Sequence, residues 1–99
     1  MPNPYISGTG FYLPPRVVTN DDLSKYMDTT NEWIQERTGI KERRYVEKDI
    51  GPSDLAIPAV EQALEAAGLT VGDIDFIIFA TSTPDFYAPG SGCVLQEKM

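Results

Sequence analysis

Histidine is absent from this 99-residue chain, and cysteine and tryptophan occur once each, as Cys93 and Trp33. The missing imidazole removes Ser-His and Cys-His nucleophile pairs, His-led acid–base chemistry and zinc sites of the His/Cys type. What metal chemistry remains is oxygen-ligated. No Asp/Asn/Gly loop of the calcium-binding kind is present, so no metal site is expected. One cysteine cannot close an internal disulfide, which suits a reducing compartment. Long apolar runs are missing too: none approaches the ~18 residues of a membrane span, and the sequence opens without the basic-then-apolar pattern of a secretory leader. Together these absences predict a cytoplasmic protein. Basic residues are scarce, 8 Lys+Arg against 15 Asp+Glu, for a net charge of −7. Such a surface neutralises phosphates poorly, which excludes nucleic acid as a partner and disfavours an anionic membrane surface.

The residues that are present describe a globular chain. At 41% hydrophobic and 23% charged, the sequence fits one domain over residues 1–99, and 8 Gly with 8 Pro mark several sharp turns. Tyr5 to Leu13 mixes β-formers with Gly8 and Gly10 and stops at Pro14-Pro15, which predicts a strand and a turn. A dinucleotide fingerprint needs a third glycine at position 13, where Leu13 stands. The glycines are therefore expected where another backbone comes close.

Thr19-Asn20-Asp21-Asp22-Leu23 is a helix start capped by Thr19, with a short helix to about Tyr26. A second start lies at Thr29, whose spacing to Glu32 is that of a capping box, and Gly39 is placed to end that helix in a left-handed conformation. Trp33 and Arg37 are i and i+4 and share one helical face, so Trp33 is either a core residue or a stacking surface beside a cation. A short strand is expected within Ile40–Val46. Arg37, Lys41, Arg43 and Arg44 against Glu42 give +3 over eight residues and leave −10 for the rest. This local positive field reads either as a solvated face paired with Glu32, Glu36 and Glu47 or as an anion site, since arginines beside an aromatic suit a phosphate next to a flat base.

Ser53 or Asp54 is expected to cap a helix running to Ala67 and stopped by Gly68, its apolar face built mostly of alanines, with a kink or late start near residues 57–58 at Pro58. Ile74–Thr81 is an almost unbroken apolar run, which predicts a strand buried on both faces in an α/β fold. A loop over residues 81–90 follows at its C-terminal end, and Ser91 begins another helix.

The run Glu32-Trp33-Ile34 with Arg37-Thr38-Gly39-Ile40, together with Gly8-Thr9-Gly10, Tyr12-Leu13-Pro14, Thr19-Asn20-Asp21-Asp22-Leu23, Arg43, Ser53-Asp54-Leu55-Ala56, Ala63–Gly68, Asp73-Ile74-Asp75, Ala80-Thr81, Asp85, Pro89, Cys93 and Gln96, resembles the amino-terminal part of 3-oxoacyl-[acyl-carrier-protein] synthase III. The resemblance covers essentially the whole chain. It implies a partial thiolase-like α/β fold, the N-terminal portion of the first half. It also implies a parent acyltransferase that works as a homodimer and condenses an acyl-CoA primer with malonyl-acyl-carrier protein to start fatty-acid biosynthesis.

The family's Cys nucleophile and its His and Asn partners lie beyond the matched motifs, so no catalytic residue is expected here and the 99 residues alone are expected to be inactive. Cys93 matches a cysteine on the helix before the nucleophile strand and is expected to be a small buried hydrophobe. By the same resemblance, Thr29, Trp33 and Arg37 face the adenine end of coenzyme A, a substrate rather than a resident cofactor. Lys41, Arg43 and Arg44 extend this toward the CoA phosphates or an acidic carrier protein. Ala88 stands before Pro89, where the family often carries a bulky Phe that crosses the dimer interface to shape the partner's acyl pocket, so a roomier or differently shaped pocket is implied. Two alternatives are a sister enzyme of the fold (a hydroxymethylglutaryl-CoA synthase or a secondary-metabolite ketosynthase) and a non-catalytic module that self-assembles through its exposed strand.

Overall fold

The structure, a computed structural model, describes residues 3–99 and divides into two compact units. The smaller spans Leu13–Lys48; the larger joins residues 3–12 to Asp49–Met99.

In the smaller unit, β1 (Arg16–Thr19) pairs antiparallel with β2 (Glu42–Tyr45), in a register that sets Arg16 opposite Tyr45 and Val18 opposite Arg43. β2 lies within the predicted Ile40–Val46 strand. β1 was not predicted, because Pro14-Pro15 read as the end of a strand and here they precede one. α1 (Asn20–Leu23) starts at Thr19 with a complete capping box: the Thr19 N–H donates to Asp22 Oδ2 at 2.9 Å and Asp22 N–H to Thr19 Oγ1 at 3.1 Å. The expected extension to Tyr26 is a turn, with Tyr26 and Met27 N–H both donating to the Leu23 carbonyl. α2 (Asn31–Thr38) ends as predicted at Gly39, whose φ of 72° belongs to the left-handed region that favours glycine.

The larger unit is organised by α3 (Pro52–Ala67), which packs against α4 (Ser91–Lys98). Gly51, rather than Ser53 or Asp54, caps α3; Asp54 accepts from the Gly51 N–H at 2.9 Å and Pro52 opens the first turn. The late start expected at Pro58 does not occur, since the helix begins at Pro52 and continues through residue 58. Proline's fixed φ is itself helical, so its lost N–H removes one ladder bond without stopping the helix. Gly68 ends α3 at φ 70°.

Residues 5–13 form no strand, but the close approach predicted for their glycines is present. A Cβ on Gly8 or Gly10 would collide with the α3 backbone, meeting the carbonyls of Ala63 and Ala59 respectively, while Phe11 N–H donates to Gln62 Oε1 at 2.8 Å. The alanine stripe therefore works as a bed for another backbone.

Ile74–Thr81 corrects the expectation of a doubly buried strand. No strand among the described residues pairs with it; Phe76 and Ile78 are 81% and 86% exposed, whereas the alternate residues Ile77 and Phe79 lie against Gly92 of α4. The period-2 alternation of extended chain survives with one side only partly covered, Phe79 half-buried and Ile77 still 39% exposed. Burying the other side needs neighbours that these residues do not include. Cys93, expected to be buried, is an exposed free thiol, because α4 turns Leu95 inward instead.

A polar cluster fastens the start of α3. Ser53, fully buried, donates to the Asp85 carboxylate from its N–H (3.0 Å) and its hydroxyl (2.8 Å). The Ser91 hydroxyl accepts from Asp85 N–H and donates to Asp85 Oδ1 at 2.7 Å. Lys98 Nζ donates to Ser53 Oγ and to Asp54 Oδ1, at 2.7 and 2.8 Å. Burial pushes the Asp85 carboxyl up, but the hydrogen bonds from Ser91 and Ser53, aided by the Lys98 charge, outweigh it and hold Asp85 below its ordinary value of 3.8.

Candidate functional site

α2 carries the residues singled out from the sequence. Its N-cap is Thr30, one residue later than predicted: Thr30 is extended at φ −133°, and its Oγ1 accepts from Trp33 N–H at 3.2 Å. Thr29 is thereby freed from the capping role, and its hydroxyl is buried with no hydrogen-bond partner among the described residues. The far end of α2 is closed by Gly39 N–H donating to the Gln35 carbonyl (2.8 Å) and by Thr38 Oγ1 donating to the Ile34 carbonyl (2.7 Å).

Ile34 is the buried apolar residue of α2, at 8% exposure. Trp33 points the other way and is 53% exposed, which removes the core reading of this tryptophan. Arg37 Cζ lies 5.2 Å from the Trp33 ring centroid, the geometry of a cation–π stack. Together they offer a flat π surface with a fixed positive charge at its side, suited to a planar base linked to an anion.

The positive segment after α2 resolves into two behaviours. Among the described residues Arg43 and Arg44 make no salt bridge with Glu32, Glu36 or Glu47, so they do not form the solvated paired face. Arg43 instead donates to the Val18 carbonyl (3.2 Å) and to Asn20 Oδ1 (2.7 Å), and Arg44 to the Pro14 carbonyl (3.0 Å). Both are therefore structural ties of the β-ribbon. Asn20, which the sequence marked only as part of a helix start, is 1% exposed at the centre of these ties. Its contacts lie 11 to 23 residues away, beyond the reach of any local pattern.

Ala88 belongs to the larger unit, on an exposed loop, where its bond to Pro89 is cis. That unit also holds a cavity of about 700 Å³, lined by Val60, Leu64, Ile74, Phe76 and Leu95 with Cys93 at its wall. No group of His, Cys, Asp or Glu among the described residues is placed to hold a metal ion, and none of their helices is long and apolar enough to cross a membrane.

No family profile matches the chain. Individual relatives do. β-Ketoacyl-[acyl-carrier-protein] synthase III of Xanthomonas campestris pv. campestris is 52% identical over 94 residues, 95% of this chain and 29% of that protein. The crystal structure of 3-oxoacyl-[acyl-carrier-protein] synthase III from Aquifex aeolicus superposes with a TM-score of 0.83 at 45% identity, over 94% of this chain and 30% of that one. The priming β-ketosynthase of the R1128 polyketide pathway is further away, with a TM-score of 0.71 at 30% identity, over 94% of this chain and 28% of that one. The chain thus spans just under a third of the length of the relatives it matches, and its fold is a partial α/β fold of their thiolase-like kind.

Proposed function

We propose, from the premise that this chain corresponds in sequence and fold to part of a 3-oxoacyl-[acyl-carrier-protein] synthase III, that it supplies the coenzyme A-facing helix of such a condensing enzyme. The parent joins an acyl-CoA primer to malonyl-acyl-carrier protein in the first step of fatty-acid biosynthesis, as a cytoplasmic homodimer with acyl-CoA as substrate and no resident cofactor. The exposed Trp33 with Arg37 stacked at 5.2 Å carries this reading. An indole accepts an adenine face whatever the orientation of the base, while the guanidinium suits the neighbouring phosphates. Thr29 stands beside the α2 cap with its hydroxyl buried and without a partner among the described residues, so its place at the adenine end rests on the sequence resemblance alone.

The chain contains no His, so the 99 residues by themselves are expected to bind without condensing. With one tryptophan, the chain gives one indole N–H signal in a ¹H–¹⁵N spectrum, which makes a direct test. Titration with coenzyme A is expected to shift that signal saturably. An indole signal that stays in place while CoA reaches millimolar concentration overturns the assignment.

The greater similarity to synthase III than to the polyketide priming enzyme, 45% against 30% identity, favours fatty-acid initiation over a secondary-metabolite role.

A further inference from the structure

We propose that Asn20 is a positioning residue for the Trp33–Arg37 surface, acting by clamping both ends of α2 with one side-chain amide. The proposal rests on the reading of that surface as a ligand-facing one. α2 is eight residues long and has Ile34 as its buried apolar contact. A helix this short is not stable by itself, and a single apolar anchor leaves it free to rotate about its axis.

The Asn20 amide removes that freedom. One Nδ2 hydrogen goes to Asn31 Oδ1 at 2.9 Å, on the first residue of α2, and the other to the Ile40 carbonyl at 2.8 Å, just past the Gly39 cap. Asn20 Oδ1 accepts from Arg43 Nη2 at 2.7 Å, which ties the clamp to β2, and the Asn20 backbone N–H donates to the Lys41 carbonyl at 3.2 Å. Both donors and the acceptor of the amide are therefore used in a site 1% exposed. Asn31 Oδ1 also accepts from Gln35 Nε2 at 2.7 Å, which continues the tie along α2. At about 100° per residue Trp33 and Arg37 lie on the side of α2 opposite Asn31 and Gln35, so holding that inner side fixes the direction in which they point by bonds they do not make.

Aspartate has the same shape, keeps the acceptor for Arg43 and replaces the one nitrogen that carries both donor hydrogens with a single acceptor oxygen. An oxygen facing the Ile40 carbonyl has no flip that repairs it, and a buried unsatisfied pair of this kind is costly. Asn20→Asp in the 99-residue chain therefore tests the clamp directly, read by the steady-state anisotropy of Trp33 well below the unfolding temperature and by CoA affinity from Trp33 quenching. Arg43→Lys, which keeps the charge and loses the fork onto Val18 and Asn20, is the second variant. Asp22→Asn is the control: it weakens the α1 capping box by trading a charged acceptor for a neutral one, loses the pairing with Lys25 and costs stability without touching the Asn20 amide.

Lowered Trp33 anisotropy and an at least about tenfold weaker CoA affinity are expected for Asn20→Asp, a smaller change of the same sign for Arg43→Lys, and a lower melting temperature with unchanged Trp33 signals for Asp22→Asn. If the wild-type chain does not bind CoA but Asn20→Asp still loosens Trp33, the clamp stands and the ligand reading falls. Unchanged Trp33 anisotropy in Asn20→Asp, or changes in Asp22→Asn that equal those in Asn20→Asp, overturns the clamp.

Discussion

An indole left half exposed, in a chain whose buried apolar side chains among the described residues are Val18, Ile34 and Leu95, is the residue on which the functional account turns. Its partner Arg37 was legible from spacing alone, because i and i+4 residues meet on a helix whatever the fold. The identity of the cap was not: Thr29 and Thr30 are equally good N-caps by composition, and Thr30 is the one held extended. Exchanging Arg37 for Gln leaves Trp33 without its cation and is expected to weaken CoA binding about threefold to thirtyfold, the range of a partly exposed to a desolvated cation–π contact, measured by calorimetric titration. At Ala88 the complete synthase is expected to accept primers bulkier than acetyl-CoA, and Ala88→Phe to narrow that range. Competition among acyl-CoA primers in the intact enzyme decides this, and a strict acetyl-CoA preference before mutation contradicts it.

Helices with their own punctuation were readable in advance. Thr19 with Asp22, Gly39 and Gly68 each solve a local problem of unpaired backbone groups or left-handed φ, so the signal sits beside the structure it creates. Ile74–Thr81 was misread for the opposite reason: its composition asks for two covered faces, but coverage comes from elements distant in sequence, and one side stays open. Asn20 and Asp85 were missed as hubs on the same grounds, since their partners lie up to 23 and 32 residues away.

The seating of residues 5–12 on the α3 alanines predicts that Gly10→Ala, by pushing a Cβ into the Ala59 carbonyl, costs about 1–3 kcal/mol in urea unfolding followed by circular dichroism. Asp85 predicts a pH dependence. Its carboxyl is held below 3.8 when folded, so its ionised form stabilises the larger unit at neutral pH, and that contribution is lost as pH falls from about 4 through the depressed value. Acid titration of helicity is expected to show this loss in the wild type and a shallower one in Asp85→Asn.

Taken whole, the molecule is a two-unit α/β segment with an open apolar side at Phe76 and Ile78, and it spans 29% of the Xanthomonas synthase it matches. Exposed apolar side chains in a continuous run favour association. Sedimentation velocity of the 99-residue chain is expected to show concentration-dependent oligomers that Phe76→Lys with Ile78→Lys reduces; a compact monomer at all concentrations contradicts this. In the proposed function α2 presents Trp33 and Arg37 to the adenine end of coenzyme A. Quenching of the single tryptophan by CoA, compared side by side with phosphopantetheine, is the decisive measurement. Saturable quenching by CoA and none by phosphopantetheine, which lacks the adenine nucleotide, is expected; equal quenching by both, or by neither, rules out an adenine-facing Trp33.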